Sequence, residues 1–476
     1  MDKNLLDSLM EEKRALFEGI SDQIWGFAEP AFHETKSMEL QKRTLVEEGF
    51  EITEYVADIP TAFKASYGSG RPVIAFLGEY DALPLLSQKA DMLKREELNP
   101  GGYGHGCGHH LLGTGSVQAV TAVKKYMEKT GLGGTIIYYG CPAEEGEAGK
   151  AFMVKGHAFD GCDICLTWHP YAFHVCSMSS LANARVKYRF KGISSHAATS
   201  PHLGRSALDA VELMNVGCNY LREHMLPECR IHYAVTNTGG DAPNVVQSEA
   251  EVVYAIRAPQ NADTLSLFNR VNKVAQGAAL MTETEVEISL HSAYADLIQN
   301  KTLNEIVYKN MHVFSQIPYT EEDLEYAQQY KNLADKREIE QLKAMAAQFL
   351  GEKADAALSE PVVRLMIPPV NLKQGSNDVG DVSQCIPTAC FSAACYAMGT
   401  APHTWQAVAQ GKSPLAHKGM FFASQVLAAT AVNLLEDPDL IVKAKADFDT
   451  VMKGKEYVSL IPDGLKPAVL RENQSK

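Results

Sequence analysis

The pattern that most constrains this chain occurs four times: an apolar, β-branched or aromatic run that stops abruptly in polar residues and then Gly or Pro. It is found at residues 72–84 (PVIAFLGEYDALP), 133–146 (GGTIIYYGCPAEEG), 163–170 (DICLTWHP) and 387–405 (PTACFSAACYAMGTAPHTW). Such runs read as buried strands, and the helical patterns between them supply the crossovers of a parallel sheet. Ligands of open α/β sheets bind beyond the carboxyl ends of the strands. Four such ends, far apart in sequence, can therefore line one site. The expected fold is α/β, a catalytic domain with a mostly parallel central sheet and flanking helices.

Between residues 184 and 296 the texture changes to alternating strands, RVKYRFKG, RIHYAVTN and EVVYAIRAP, with a helical SALDAVELMNVGCNYLREHM among them. This predicts a smaller α+β domain inserted into the first, so that residues 1–183 and 297–476 form the two parts of the catalytic domain. A length of 476 residues suits two or three domains. Charged helical segments follow near 301–358, and a short polar stretch at 371–381 precedes the last apolar run.

Forty-four basic against 58 acidic residues give a formal net charge of -14, which argues against nucleic acid or an anionic membrane as partner. No apolar run reaches the roughly 18 residues of a membrane span, and the charged, amphipathic N-terminus lacks the pattern of a signal peptide. A cytoplasmic protein is expected. Its ten irregularly spaced cysteines then read as reduced thiols, and Cys162 and Cys165 as packing rather than a metal or redox pair.

The chemistry concentrates at the run ends. The segment GYGHGCGHHLLG places His105, Cys107, His109 and His110 in a Gly-rich loop directly before a helical run at 111–129. In such a loop a Cys and a His two apart can converge on one ion, as they cannot on a regular helix. A phosphate loop is the alternative, but the Walker Lys and Ser or Thr are missing. Glu144 and Glu145 end the 135–141 strand. In extended chain they point to opposite sides, so one can ligate a metal while the other serves as a base. His169 ends a third strand. His403 follows Gly399 and Pro402 at the end of a fourth, and is favoured over His417, which sits where a helix begins. One thiolate, one carboxylate and three imidazoles are too many for one structural zinc and suit two ions, hence hydrolysis. A hydroxide held by both ions would attack a carbonyl, with Glu144 moving the proton to the leaving amine.

At GEYDALPLLSQ, GHGCGHHLLGT, YGCPAEEG, FKGISSHAATSPHLGRSALDAV, PNVVQSEAEVVYAIRAP, DVGDVS and PHTWQAVAQGKSPLAHKGM, the chain resembles the di-metal amidohydrolases and peptidases that include aminoacylases, glutamate carboxypeptidases and auxin-conjugate hydrolases. The resemblance covers nearly the whole chain. It implies that Cys107 bridges two divalent ions, Mn2+ or Zn2+ with a tilt to manganese, that His109, Glu145, His169 and His403 complete the ligands, and that Glu144 is the base. It implies that residues 184–296 are a lid and dimerisation domain. Many relatives carry His-x-Asp where this chain has Glu79-Tyr80-Asp81, so Asp81 is expected to orient a ligand His. In the lid His232, Asn244, Arg205 and Arg257 match parts of the relatives that bind substrate, an imidazole or amide for the oxyanion and Arg for a carboxylate. The implied activity is cleavage of an N-acyl or aroyl amino acid, p-aminobenzoyl-glutamate leading, in a homodimer or in a heterodimer with a homologous A subunit. The alternatives are an aminoacylase or dipeptidase, and a non-catalytic subunit of a hetero-oligomeric hydrolase.

Overall fold

A computed structural model describes residues 1–337, 339–340, 356–359 and 375–472. Its larger sheet has six strands: β1 (Glu51–Glu54), β2 (Phe63–Ser69), β3 (Val73–Glu79), β4 (Gly134–Cys141), β5 (Ile164–Tyr171) and β10 (Thr388–Ala394). Their order is β1-β2-β4-β3-β5-β10. The four apolar runs are β3, β4, β5 and β10, and each pairs in parallel with its neighbour. Only β1 and β2 run antiparallel at one edge. The parallel strands are buried on both faces, which is why they lack alternation.

Helices His109–Thr130 and Pro414–Glu436 pack together against this sheet. The second begins where Ser413 accepts a hydrogen bond from the Ala416 N–H and Pro414 occupies the first turn. Among the described residues it is the one helix long and apolar enough to cross a membrane, yet it is mostly buried inside the protein. Lys418 and Gly419 interrupt its start, so it is not an unbroken apolar run. The first helix approaches β3 so closely that a Cβ at Gly113 would lie 2.3 Å from the Glu79 carbonyl oxygen. Glycine there lets the helix carrying His109 sit directly on the strand carrying Glu79.

The second sheet is antiparallel, in the order β7-β8-β6-β9. Its strands are β6 (Ala182–Lys191), β7 (Arg230–Asn237), β8 (Glu249–Ala258) and β9 (Glu285–Tyr294). Alternation is clear in β6 and β8, where Ala184, Val186, Tyr188, Val252, Tyr254 and Ile256 are buried, and helices Ala207–Leu221 and Asn261–Thr282 lie against this sheet. The other face is polar and basic. All ten cysteines are free thiols, and Cys162 lies beside the Tyr139 hydroxyl. The helical expectation for 301–358 is met by Lys301–Val313 and Glu321–Leu333. Its part at 341–355, and residues 371–374 of the polar stretch, lie outside the described residues.

Candidate active site

The Gly-rich loop divides its four candidate ligands between core and site. His105 gives Nε2 to the Ile24 carbonyl at 3.0 Å and His110 gives its own to the Gly411 carbonyl at 2.9 Å. Burial lowers both imidazoles, His105 to about 4, so these two are neutral packing groups. Cys107 and His109 face the other way. Gly108, at φ 77°, turns the chain between them into the helix.

His109 is buried, with Nδ1 2.8 Å from Asp81 Oδ1. The second Asp81 oxygen accepts the Glu145 N–H at 2.8 Å. Asp81 thus fixes the His109 tautomer and also ties it to the turn bearing both glutamates. Burial opposes a charge on His109, but Asp81, Cys107 and Glu79 outweigh it and raise its pKa well above the ordinary value. His169 donates Nδ1–H to the Pro170 carbonyl at 2.8 Å and leaves Nε2 3.4 Å from Cys107 Sγ. Burial lowers the His169 pKa.

The two glutamates do diverge, though the backbone is not the extended chain expected. Ala143 is left-handed at φ 59°, and Gly146 has φ 85°. This tight turn buries Glu144, with Oε2 3.9 Å from His109 Nε2. Glu145 instead meets His403, Oε1 to Nε2 3.2 Å. Burial first, then the charges of Glu145, Glu79 and Asp378, push the Glu144 carboxyl well above the usual range.

His403 is not at a strand end. β10 stops at Ala394, and His403 lies in a loop at φ 60°, its N–H bonded to the Gly106 carbonyl at 2.9 Å. Thr404 then caps helix Trp405–Gln410. Gly399 and Pro402 end the strand direction early, and the loop carries His403 back to the Cys107 loop. His417 pairs with Asp22 at 3.0 Å and belongs to no ligand cluster among the described residues.

Two triads of donor atoms share Cys107: Cys107, His109 and His169, and Cys107, Glu145 and His403. Within each triad the donor atoms lie within 4.8 Å of one another. His109 Nε2 and Glu145 Oε1 are buried without a hydrogen-bonding partner, a costly state that a cation relieves. Thiolate, imidazole and carboxylate donors fit a divalent ion such as zinc or manganese, and Cys107 is common to both groups.

Residues that the sequence did not single out complete the surroundings. Glu79 Oε2 stands 3.2 Å from His109 Nε2, and Glu79 forms a third cluster with His109 and Glu144. Lys150, wholly buried, places Nζ 2.6 Å from both Glu79 and Asp378. Glu34 accepts the N–H groups of Phe32 and Ala143 at 2.9 and 2.8 Å, and so supports the Glu144 turn. The His-x-Asp position was the only signal for Glu79; a charged residue in the short helix Gly149–Lys155 gave none for Lys150.

A cavity of about 620 Å³ opens over the site, lined by Cys107, Glu144, Glu145, His169 and His403 on one side. The basic face of the second sheet forms the other side, through Asn183, Arg185, His232 and Arg257. Its volume suits a small-molecule ligand. Arg257 is half-buried, bonded to the Ser376 hydroxyl at 3.1 Å, with no carboxylate partner among the described residues. The other two lid candidates lie elsewhere. Arg205 is held by Glu283 and by the His202 and Gly204 carbonyls. Asn244 is exposed, its carbonyl bonded to the Ala197 N–H.

The profile of peptidase family M20/M25/M40 matches residues 75–367. The chain is 45% identical to the B subunit of the p-aminobenzoyl-glutamate hydrolase of Escherichia coli K12, over 98% of both chains. It is 28% identical to the Xaa-Arg dipeptidase of Mus musculus, over 84% of this chain and 80% of the relative. Its fold matches the Bacillus subtilis YXEP protein, a dinuclear metal-binding peptidase of family M20, with TM-score 0.54 and 18% identity, over 91% of this chain and 99% of that one. The chain belongs to peptidase family M20/M25/M40 and is a hydrolase acting on amide bonds.

Proposed function

We propose that this hydrolase cleaves the amide of an N-acyl or N-aroyl amino acid, with p-aminobenzoyl-glutamate as its substrate. The observation that carries the proposal is Arg257, a cation with no acidic partner among the described residues, in one cavity with Glu144 and the shared cysteine. Burial lowers the Arg257 pKa, with Tyr294 opposing. A desolvated guanidinium without an acid is a ready site for a substrate carboxylate. The aromatic amide substrate is taken from the relative that shares 45% identity.

In this proposal Cys107, His109, Glu145, His169 and His403 hold two divalent ions, manganese or zinc. When bound, such ions polarise a carbonyl oxygen and acidify a water. Asp81 holds His109 through Nδ1, which leaves Nε2 as the nitrogen that would serve as ligand. Glu144 takes the proton of the attacking water on its carboxylate and returns it to the departing amine nitrogen. Tyr294 donates its hydroxyl proton to the Glu144 carbonyl at 3.3 Å and steadies that residue. His232, on the opposite wall, offers an imidazole to the amide oxygen. Arg205 and Asn244 enter only across a subunit contact, in a homodimer or in a heterodimer with a homologous A subunit. The subunit name of the similar E. coli protein supports such an assembly.

The test is metal content per chain by mass spectrometry, together with turnover of p-aminobenzoyl-glutamate by the purified chain. About two ions, falling sharply in Cys107→Ala, and activity lost in Glu144→Gln are expected. One ion indifferent to Cys107 overturns the paired site, and turnover of Xaa-Arg dipeptides in preference to p-aminobenzoyl-glutamate overturns the substrate.

A further inference from the structure

The cations along β6 follow a rule that breaks at the cavity. Lys187, Arg189 and Lys191 project from one face of the strand, and each has a glutamate partner on a neighbouring strand: Glu251, Glu249 and Glu287. Arg185 is next in this row, since every second residue shares a face. Its cross-strand neighbours are Ala255 and Ser292, neither of them acidic. Among the described residues Arg185 has no carboxylate partner, and it lines the cavity beside Glu144, Glu145 and His403.

Two further features place it. Arg257 sits opposite Asn183 on β8, so Arg185 and Arg257 are diagonal neighbours on one sheet face, about 7–8 Å apart at the backbone. The Arg185 Nη1 also lies against Gly146, 3.3 Å from where a Cβ would stand. Two unpaired cations in a net-acidic chain, on the same wall and at the same cavity, match a ligand with two anionic groups. The carboxyl carbons of a glutamyl residue are about 5 Å apart when extended, from standard bond lengths. Long arginine side chains bridge the difference.

We infer that Arg185 is a specificity residue: it receives the second carboxylate of a dicarboxylic amino acid whose first carboxylate is held by Arg257. The inference rests on the reading of this cavity as an N-acyl amino acid site. It restricts the amino acid to glutamate-like dianions and leaves the acyl group to the rest of the cavity.

The test compares p-aminobenzoyl-glutamate with p-aminobenzoyl-alanine, which lacks the side-chain carboxylate. Binding is measured by calorimetry on the chelator-treated full chain, and kcat/KM on the metal-loaded chain. Wild type should prefer the glutamate compound, and Arg185→Gln should shrink that preference about tenfold, the scale of one charge-assisted hydrogen bond. The change should fall in Kd and KM rather than kcat, and Arg185→Lys should restore part of it. An unchanged glutamate-to-alanine ratio in Arg185→Gln, whether both affinities fall or neither does, overturns the role of Arg185 while the N-acyl amino acid reading stands. Wild-type protein that binds neither compound overturns that underlying reading and the inference with it.

Discussion

Lys150 offers the sharpest test of how the site is held together. Its ammonium is fully buried between Glu79 and Asp378, at 2.6 Å from each. Lys150→Met keeps the stem's bulk and removes the charge, leaving two buried carboxylates to face each other. Breaking a buried ion pair from one side costs about 3–5 kcal/mol, a large fraction of a typical stability of about 5–15 kcal/mol. A urea titration of the full chain should show this loss as a lower midpoint. The penalty should shrink as pH falls. Without the lysine, both carboxyls have folded pKa values raised above their unfolded ones, so their stabilising contribution is present at low pH and lost as pH rises. Asp378 already sits at about 6 with the lysine present, chiefly through burial. The triple variant Lys150→Met, Glu79→Gln, Asp378→Asn should recover most of the loss, because neutral groups carry no uncompensated charge. A loss below about 1 kcal/mol in the single variant, or one independent of pH, refutes the reasoning.

Three other outcomes follow from named contacts. Asp81→Asn deprives His109 Nδ1 of its carboxylate and should weaken metal binding about 10–100-fold in chelator competition. Burial, then the Asp81 charge, raises Glu34 to about 8, so it is mainly protonated at neutral pH. Glu34→Gln should therefore change stability by less than about 1 kcal/mol, whereas Glu34→Ala, which orphans the Phe32 and Ala143 N–H groups, should cost about 1–3 kcal/mol and reduce turnover. Burial lifts Asp381 to about 7 against hydrogen bonds from Tyr457 and the Ala295 N–H. Its contribution is then present below about 4 and lost as pH rises through 7. Melting curves should show Asp381→Asn gaining on wild type between pH 5 and pH 8.

Legibility from sequence followed the range of the interactions. The four parallel strands were readable because burial on both faces writes an unbroken apolar run. Glu145 and His169 could be named because each ends such a run, and Cys107 and His109 because a Gly-rich loop directly before a helix lets a Cys and a His two apart converge. His403 was named for the wrong reason: a loop nine residues beyond β10, held by the Gly106 carbonyl, brings it in rather than the strand itself. Arg205 and Arg185 show the limit most plainly. Both are arginines of the inserted α+β region, and only the first lay in a recognisable motif. Yet Glu283, 78 residues away, occupies Arg205, while Arg185, opposite Ala255 and Ser292, has no carboxylate partner among the described residues. The availability of a cation for substrate is decided by what stands opposite it in the folded sheet, and strand register is not written in the residue's own neighbourhood. The same holds for Lys150: no motif marks it, and Glu79 and Asp378, 71 residues before it and 228 after, close around it only in the fold.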